Sequence, residues 1–264
     1  MNQKAPHNPE GMEGGISNVA GYRFVDLPDR DELREPFRKV CKENALKGTI
    51  LLSYEGINFF LAGPQSSIDH FLQFLEEDAR FSAIPLKYSY TEYQPFNRMN
   101  VRLKKEIISL GLDHIKPAER TGEEITPTEF KQWLDEGREV AIIDTRNDYE
   151  IRLGTFENAL DLNIKSFRAF PKAVESLPDS MKDTPVVMFC TGGIRCEKAS
   201  VVMMDAGFSN VKQLKGGILG YFEEVGGEHW DPRQFDTLHL TCWSCCAASY
   251  ALVHWNMAYD MESP

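Results

Sequence analysis

The sequence predicts two domains of different architecture, an α+β domain and then an α/β domain with a central parallel sheet, followed by an irregular C-terminal tail. Three observations carry this reading. A chain of 264 residues has the length for two cores of ordinary size. Between residues 21 and 111 the apolar patterns run in the order β-α-β-β-α-β, which is that of a ferredoxin-like (acylphosphatase-like) antiparallel sheet with its helices on one face. From residue 125 to 226 short apolar runs alternate with helical spacing, as in βαβ units.

Hydrophobic content of 42% with 26% charged residues is ordinary for a water-soluble fold, and no apolar run reaches membrane-spanning length, so no membrane partner is expected. Residues 1–20 are polar and rich in turn formers; they read as a disordered tail without the apolar core of a secretion signal. A cytoplasmic location follows, and there the six cysteines stay reduced, as core, catalytic or metal-binding thiols.

The net charge of −11 excludes a broadly basic nucleic-acid-binding protein, but the charge is uneven. Residues 1–117 hold 15 Lys and Arg against 16 acids, so nearly all the excess negative charge lies further on. Within 86–105, Lys87, Arg98, Arg102, Lys104 and Lys105 face Glu92 alone.

In the first domain, Tyr22–Val25 alternates as a short strand, and Asp29–Asn44 has helical spacing with Leu33, Phe37, Val40 and Cys41 inward. Thr49–Ser53 and Ile57–Ala62 are strands joined through Tyr54-Glu55-Gly56, and Ser66 or Ser67 caps a helix to about Asp78. Leu86–Thr91 is the next strand. The segment from Pro95 to Ile108 then alternates basic and apolar residues. It reads either as an edge strand protected by charge or as a grip on a polynucleotide backbone through Arg98, Arg102, Lys104 and Lys105, with Tyr93 or Phe96 for stacking.

Residues 112–124, with Pro117 and Gly122, read as a linker. Thr126-Pro127-Thr128-Glu129 then opens a helix with a cap, a proline in the first turn and an acid. Val140–Asp144, Val186–Phe189 and Val211–Leu214 are strands of a buried parallel sheet, and a helix is expected over Glu197–Ala206. Ligands bind beyond the carboxyl ends of such strands. Cys190 lies at one of these ends. Asp144 and Arg146 lie at another, either supporting the Cys190 loop or pairing with each other for structure alone.

Cys190-Thr191-Gly192-Gly193-Ile194-Arg195 follows a strand and precedes a helix. Backbone N–H groups and a helix N-terminus favour the thiolate of a cysteine so placed. The glycines let the loop curl, and Arg195 offers a positive fork to a substrate anion, with Thr191, Gly192, Gly193 and Ile194 as the loop that would bind it. Four residues separate Cys190 from Arg195, one fewer than in Cys-x5-Arg phosphatase loops. Cys196 is either a resolving thiol or a core residue, and Lys198 either adds positive potential at the loop or is solvated.

The loop resembles that of rhodanese domains, Cys-x-x-Gly-x-Arg, as do Ile143–Arg146, Gly154–Ala159 and Leu214–Ile218. Together with Glu55–Asn58, Phe96–Met99, Val101–Ile107, Asp144–Glu150 and Cys190–Lys198, the chain over residues 20–225 resembles the bacterial tRNA uridine hydroxylases that carry a rhodanese domain. The resemblance implies oxygen-dependent formation of 5-hydroxyuridine at the wobble base, tRNA as partner through its anticodon loop, molecular oxygen as co-substrate, and Cys190 as the essential residue. It implies no obligate protein partner. No Gly-x-Gly-x-x-Gly and no His/carboxylate iron set is evident, so no organic cofactor is expected. The alternatives are a sulfurtransferase working through a Cys190 persulfide and a rhodanese module that only binds.

The tail, residues 227–264, departs from the family pattern. Cys242, Cys245, Cys246 and His239 are candidate zinc ligands, but only one Cys-x-x-Cys pair is clear where a structural site ordinarily takes two, so no metal is expected.

Overall fold

The computed structural model describes residues 15–232. It has two compact units, the first ending at Ile107 and the second beginning at Ile108. The N-terminal residues before 15 lie outside the described part, as do Cys242, Cys245, Cys246 and His239.

The first unit contains β1 (Ile16–Phe24), α1 (Arg30–Glu43), β2 (Lys47–Ser53), β3 (Gly56–Gly63), α2 (Gln65–Glu76), β4 (Leu86–Thr91) and β5 (Met99–Leu103). The strand order is β4-β1-β3-β2-β5. The first four strands pair antiparallel, as the ferredoxin-like order requires, and β5 adds itself parallel to β2 at the edge. Phe37 and Cys41 of α1 and Ile68, Phe71 and Leu75 of α2 are buried with Ile57, Phe59 and Leu61 of β3. The Phe71 ring lies 5.5 Å from Phe59 and 6.2 Å from Phe37, so truncating it to alanine costs about 3–5 kcal/mol.

Residues 16–20, expected in the disordered tail, belong instead to β1. Their polar side chains conceal the strand because they are buried with partners: Ser17 Oγ donates to Gln65 Oε1 (2.8 Å) and Asn18 Nδ2 to Thr91 Oγ1 (3.2 Å). At the other end of this unit, Ile107 is held from both sides. Its N–H donates to Glu55 Oε1 (2.7 Å), and its carbonyl accepts from Asn58 Nδ2 (3.3 Å).

The second unit contains β6 (Glu123–Ile125), α3 (Pro127–Asp135), β7 (Ala141–Asp144), α4 (Asp148–Ile151), β8 (Thr155–Phe156), β9 (Leu160–Asp161), α5 (Phe170–Glu175), β10 (Val186–Phe189), α6 (Ile194–Asp205), β11 (Val211–Leu214), α7 (Gly217–Val225) and β12 (Trp230–Asp231). The main sheet, in the order β6-β11-β10-β7-β9, is parallel throughout, with β10 central and buried along its whole length. Thr126 caps α3 as expected, its Oγ1 accepting the Glu129 N–H at 3.2 Å. Phe130, Phe156, Phe189 and Tyr221 pack edge to face in the core.

Two boundaries differ from the sequence expectation. Residues 112–124 are not a free linker: Ile115 is buried, the Gly122 N–H donates to Ser200 Oγ (2.9 Å), and β6 already begins at Glu123. The second unit also continues past residue 226, because β12 pairs antiparallel with β8, Trp230 opposite Phe156.

Candidate active site

Cys190 follows directly on β10, at the carboxyl end of the central strand. The chain then turns through Gly193, whose φ of 101° lies in the left-handed region where a side chain would be strained. That turn aims the Gly193 N–H at Cys190 Sγ, 3.1 Å away. It also starts α6 at Ile194 rather than at Glu197, which places Arg195 and Cys196 in the first helical turn.

The loop is braced from behind. Ile218 N–H donates to the Cys190 carbonyl (2.9 Å) and Leu219 N–H to the Thr191 carbonyl (3.1 Å), so the first turn of α7 supplies its otherwise unpaired donors to the loop. Gly217 makes this approach possible: with φ of +60°, a Cβ there would lie 2.4 Å from the Cys190 carbonyl oxygen.

Arg195 is buried, and its guanidinium forms a two-pronged pair with Glu150, Nη1 to Oε2 at 2.6 Å and Nη2 to Oε1 at 2.7 Å. The fork read as open to a substrate anion is therefore closed on a carboxylate of the protein itself. Thr191 Oγ1 donates to the same carboxylate (3.3 Å). Burial pushes the Glu150 carboxyl up, but the charge and hydrogen bonds of Arg195, aided by Arg146, outweigh it and hold the group below its ordinary range. Glu150 is not marked by the sequence as a site residue. Its one local signal is a capping box, in which its carboxylate accepts the Asn147 N–H at 3.1 Å.

Asp144 and Arg146 pair with each other, Arg146 Nη2 to Asp144 Oδ2 at 2.6 Å, and neither side chain hydrogen-bonds to Cys190. Thr155 Oγ1 donates to Asp144 (2.8 Å) and Arg146 donates to the Gly154 carbonyl (2.6 Å). The pair thus pins the turn that carries Glu150. It supports the loop at one remove.

Cys190 and Cys196 are both fully buried, and each thiol shifts the titration of the other. Burial pushes the Cys190 thiol up. The neighbouring Cys196 thiol, the Arg195 charge and the N–H groups of Arg195 and Gly193 more than reverse this, lowering its pKa to about 6. Cys196 moves the opposite way, raised by burial and by the neighbouring Cys190, so the pair holds one negative charge, on Cys190. Cys41, buried in the first unit with no such donors, is pushed up to about 12. The loop's donors, not burial, make the difference.

Lys198 is not solvated: it is buried, with Nζ donating to the Ile108 carbonyl at 3.0 Å. Among the basic residues of the first unit, Arg102 lies in edge strand β5 and Lys104 just past it, both half-buried, while Arg98 and Lys105 are exposed. Among the described residues, one cluster has ligand types at metal-binding spacing: Asp135, Glu228 and His229. Lys131 Nζ lies 2.7 Å from both Asp135 and Glu228 and offsets half of their charge.

Residues 16–107 match the UPF0176 acylphosphatase-like domain and residues 126–224 the rhodanese-like domain. A protein of Cupriavidus necator named tRNA uridine(34) hydroxylase is 50% identical over 220 residues, covering 81% of this chain and 78% of that protein. The chain belongs to the tRNA uridine(34) hydroxylase family. Members from Ralstonia nicotianae (46% over 231 residues, 86% of this chain and 82% of that one) and Xanthomonas euvesicatoria pv. vesicatoria (45% over 225 residues, 83% and 91%) carry the same name. The match of the first domain begins at residue 16, where β1 begins. A rhodanese-like domain protein of Staphylococcus aureus is similar over 39% of this chain and 94% of its own, at 26% identity and a TM-score of 0.33.

Proposed function

We propose that this protein is a tRNA-modifying enzyme that hydroxylates uridine 34, the wobble base in the anticodon loop, to 5-hydroxyuridine, with Cys190 as nucleophile and molecular oxygen as co-substrate. The observation that carries the reading is the family membership over four-fifths of the chain, at 45–50% identity to proteins named for that reaction. The site supplies chemistry suited to it.

The Cys190 thiolate adds to C6 of uracil, and the electron pair of the C5–C6 bond moves toward O4 as an enolate. C5 then carries nucleophilic character toward oxygen. The overall reaction is uridine, oxygen, two electrons and two protons to 5-hydroxyuridine and water. Arg195, fixed by Glu150, holds the thiolate charge in place rather than meeting the substrate itself. A base in a single-stranded loop leaves its stack at small cost, so uridine 34 is accessible to a cysteine that could not reach a paired base. A tRNA substrate supports a cytoplasmic location.

Nucleoside mass spectrometry of tRNA from cells lacking the gene tests the reading. Loss of 5-hydroxyuridine, and a fall in wild-type cells under oxygen limitation, are expected. Unchanged 5-hydroxyuridine in cells with no second enzyme for the modification contradicts it, and vigorous thiosulfate:cyanide sulfur transfer would then favour persulfide chemistry at Cys190.

A further inference from the structure

Cys196 is the one reactive group at this site that the hydroxylation chemistry above leaves without a role. It sits in the first turn of α6 with its backbone N–H on the carbonyl of Gly193 (2.9 Å), the residue whose own N–H meets Cys190 Sγ, and its sulfur lies 3.7 Å from the Thr145 hydroxyl, which donates to the carbonyl of Phe189, the residue before Cys190. A second buried thiol at the same strand end as a nucleophilic one is a two-electron donor placed beside the reacting atom. The intervening Gly192 and Gly193 carry no side chains, and Gly192 is part-exposed, so the backbone between the two sulfurs is the part of the loop best able to relax on bond formation.

We propose that Cys190 and Cys196 are the dithiol that supplies the two electrons of the hydroxylation, with Cys196 resolving oxidised Cys190 as an intramolecular disulfide. The proposal rests on the hydroxylation reading and adds the source of its electrons. After oxygen has added at C5 as a hydroperoxide, loss of the C5 proton and departure of Cys190 from C6 restore the C5–C6 double bond and free the thiolate. The thiolate attacks the distal peroxide oxygen. The O–O bond breaks, leaving the product oxygen on C5 and a sulfenic acid on Cys190. Cys196 attacks that sulfur: the S–S bond forms, the S–O bond breaks, and the hydroxyl leaves with the Cys196 proton as water. Oxygen is reduced by four electrons, two from C5 and two from the dithiol. An external dithiol then reduces the disulfide by thiol–disulfide exchange and resets the enzyme.

The test uses the full chain, reduced and then freed of reductant, mixed with unmodified tRNA in oxygenated buffer. 5-Hydroxyuridine is counted by nucleoside mass spectrometry, and the cysteines are mapped by differential alkylation and peptide mass spectrometry. Product is expected to stop at one equivalent per protein while a Cys190–Cys196 disulfide rises in step, and added dithiothreitol should restart turnover. In Cys196→Ser, a 1,3-dione should capture Cys190 as a sulfenic acid in place of the disulfide. Product accumulating with both thiols still reduced overturns the proposal and leaves the hydroxylation reading intact. A disulfide from Cys190 to Cys242, Cys245 or Cys246 does the same. No product from wild type, even with excess dithiothreitol, overturns the hydroxylation reading and this proposal with it. The wild-type disulfide map stands whether or not the variant folds.

Discussion

Arg195 and Glu150 meet as a buried, two-pronged ion pair, 2.6 and 2.7 Å long, that ties the Cys190 loop to the turn after β7. The pair fixes where the positive charge beside the thiolate sits. It also makes the site sensitive to the loss of either partner.

Replacing Glu150 by leucine leaves a guanidinium buried without its carboxylate. The expected cost is about 3–5 kcal/mol, measured by urea unfolding. The double substitution Glu150→Leu with Arg195→Met should recover much of that loss, since it removes both charges. Additive losses in the double variant would show that the two side chains act independently.

The same pair sets an acid limit. Glu150 is held below its ordinary value of 4.5, so the unfolded chain binds its proton before the folded one does. The stabilisation is complete above pH 4.5 and is lost as pH falls below it toward the folded value. Unfolding curves over that range should show a steep acid loss in wild type and a shallower one in the double variant.

Alkylation separates the cysteines. Both sulfurs are buried, so iodoacetamide reaches either only through local opening; with the Cys190 thiol lowered to about 6 and Cys41 raised to about 12, it should modify Cys190 with a rate rising around pH 6 and leave Cys41 unmodified at neutral pH. Arg195→Met removes a lowering charge and should move the Cys190 profile to higher pH. Peptide mass spectrometry reads both. A Cys190 profile rising only near pH 9 would contradict the electrostatics described for the loop.

Gly217 and Gly137 form a matched pair. Both have left-handed φ, +60° and +63°, but a Cβ at Gly217 meets the Cys190 carbonyl at 2.4 Å whereas one at Gly137 meets nothing within 4 Å. Gly137→Ala should cost about 1–2 kcal/mol and leave activity unchanged. Gly217→Ala should cost more and displace the loop, with activity falling about a hundredfold or more, as misplacement of about 1 Å can cause.

The basic edge of the first unit is tested by tRNA binding. The triple substitution Arg102→Ala, Lys104→Ala, Lys105→Ala should weaken binding and reduce the slope of log affinity against log salt by about 0.7 for each phosphate deprived of its cationic partner. An unchanged slope would leave these residues as protection for an edge strand.

The loop was legible because its signals are local: a buried strand, then Cys190, two glycines and Arg195 within a few residues. Gly217 and the Leu214–Ile218 turn could be noted as a pattern, but their work shows only when the α7 amides are seen on the Cys190 and Thr191 carbonyls. Glu150 lies 45 residues before Arg195, and its capping contact with Asn147 is a sufficient local reason for an acid at that position. The start of β1 was missed because Ser17 and Asn18 are polar and buried, with partners on α2 and β4 that no local pattern shows. The solvated alternative for Lys198 fails for the opposite reason. A lysine normally stays in water, and this one is buried on a backbone carbonyl.

The central claim is that the Cys190 sulfur bonds to C6 of the wobble uridine. The most direct measurement uses purified protein and tRNA carrying 5-fluorouridine at position 34, where fluorine blocks the loss of hydrogen from C5 that frees the enzyme. A protein–RNA adduct that survives denaturation, maps to Cys190 by mass spectrometry and is absent in Cys190→Ser is the predicted result. Full hydroxylation of ordinary tRNA by Cys190→Ser, or an adduct mapped to another residue, would contradict it.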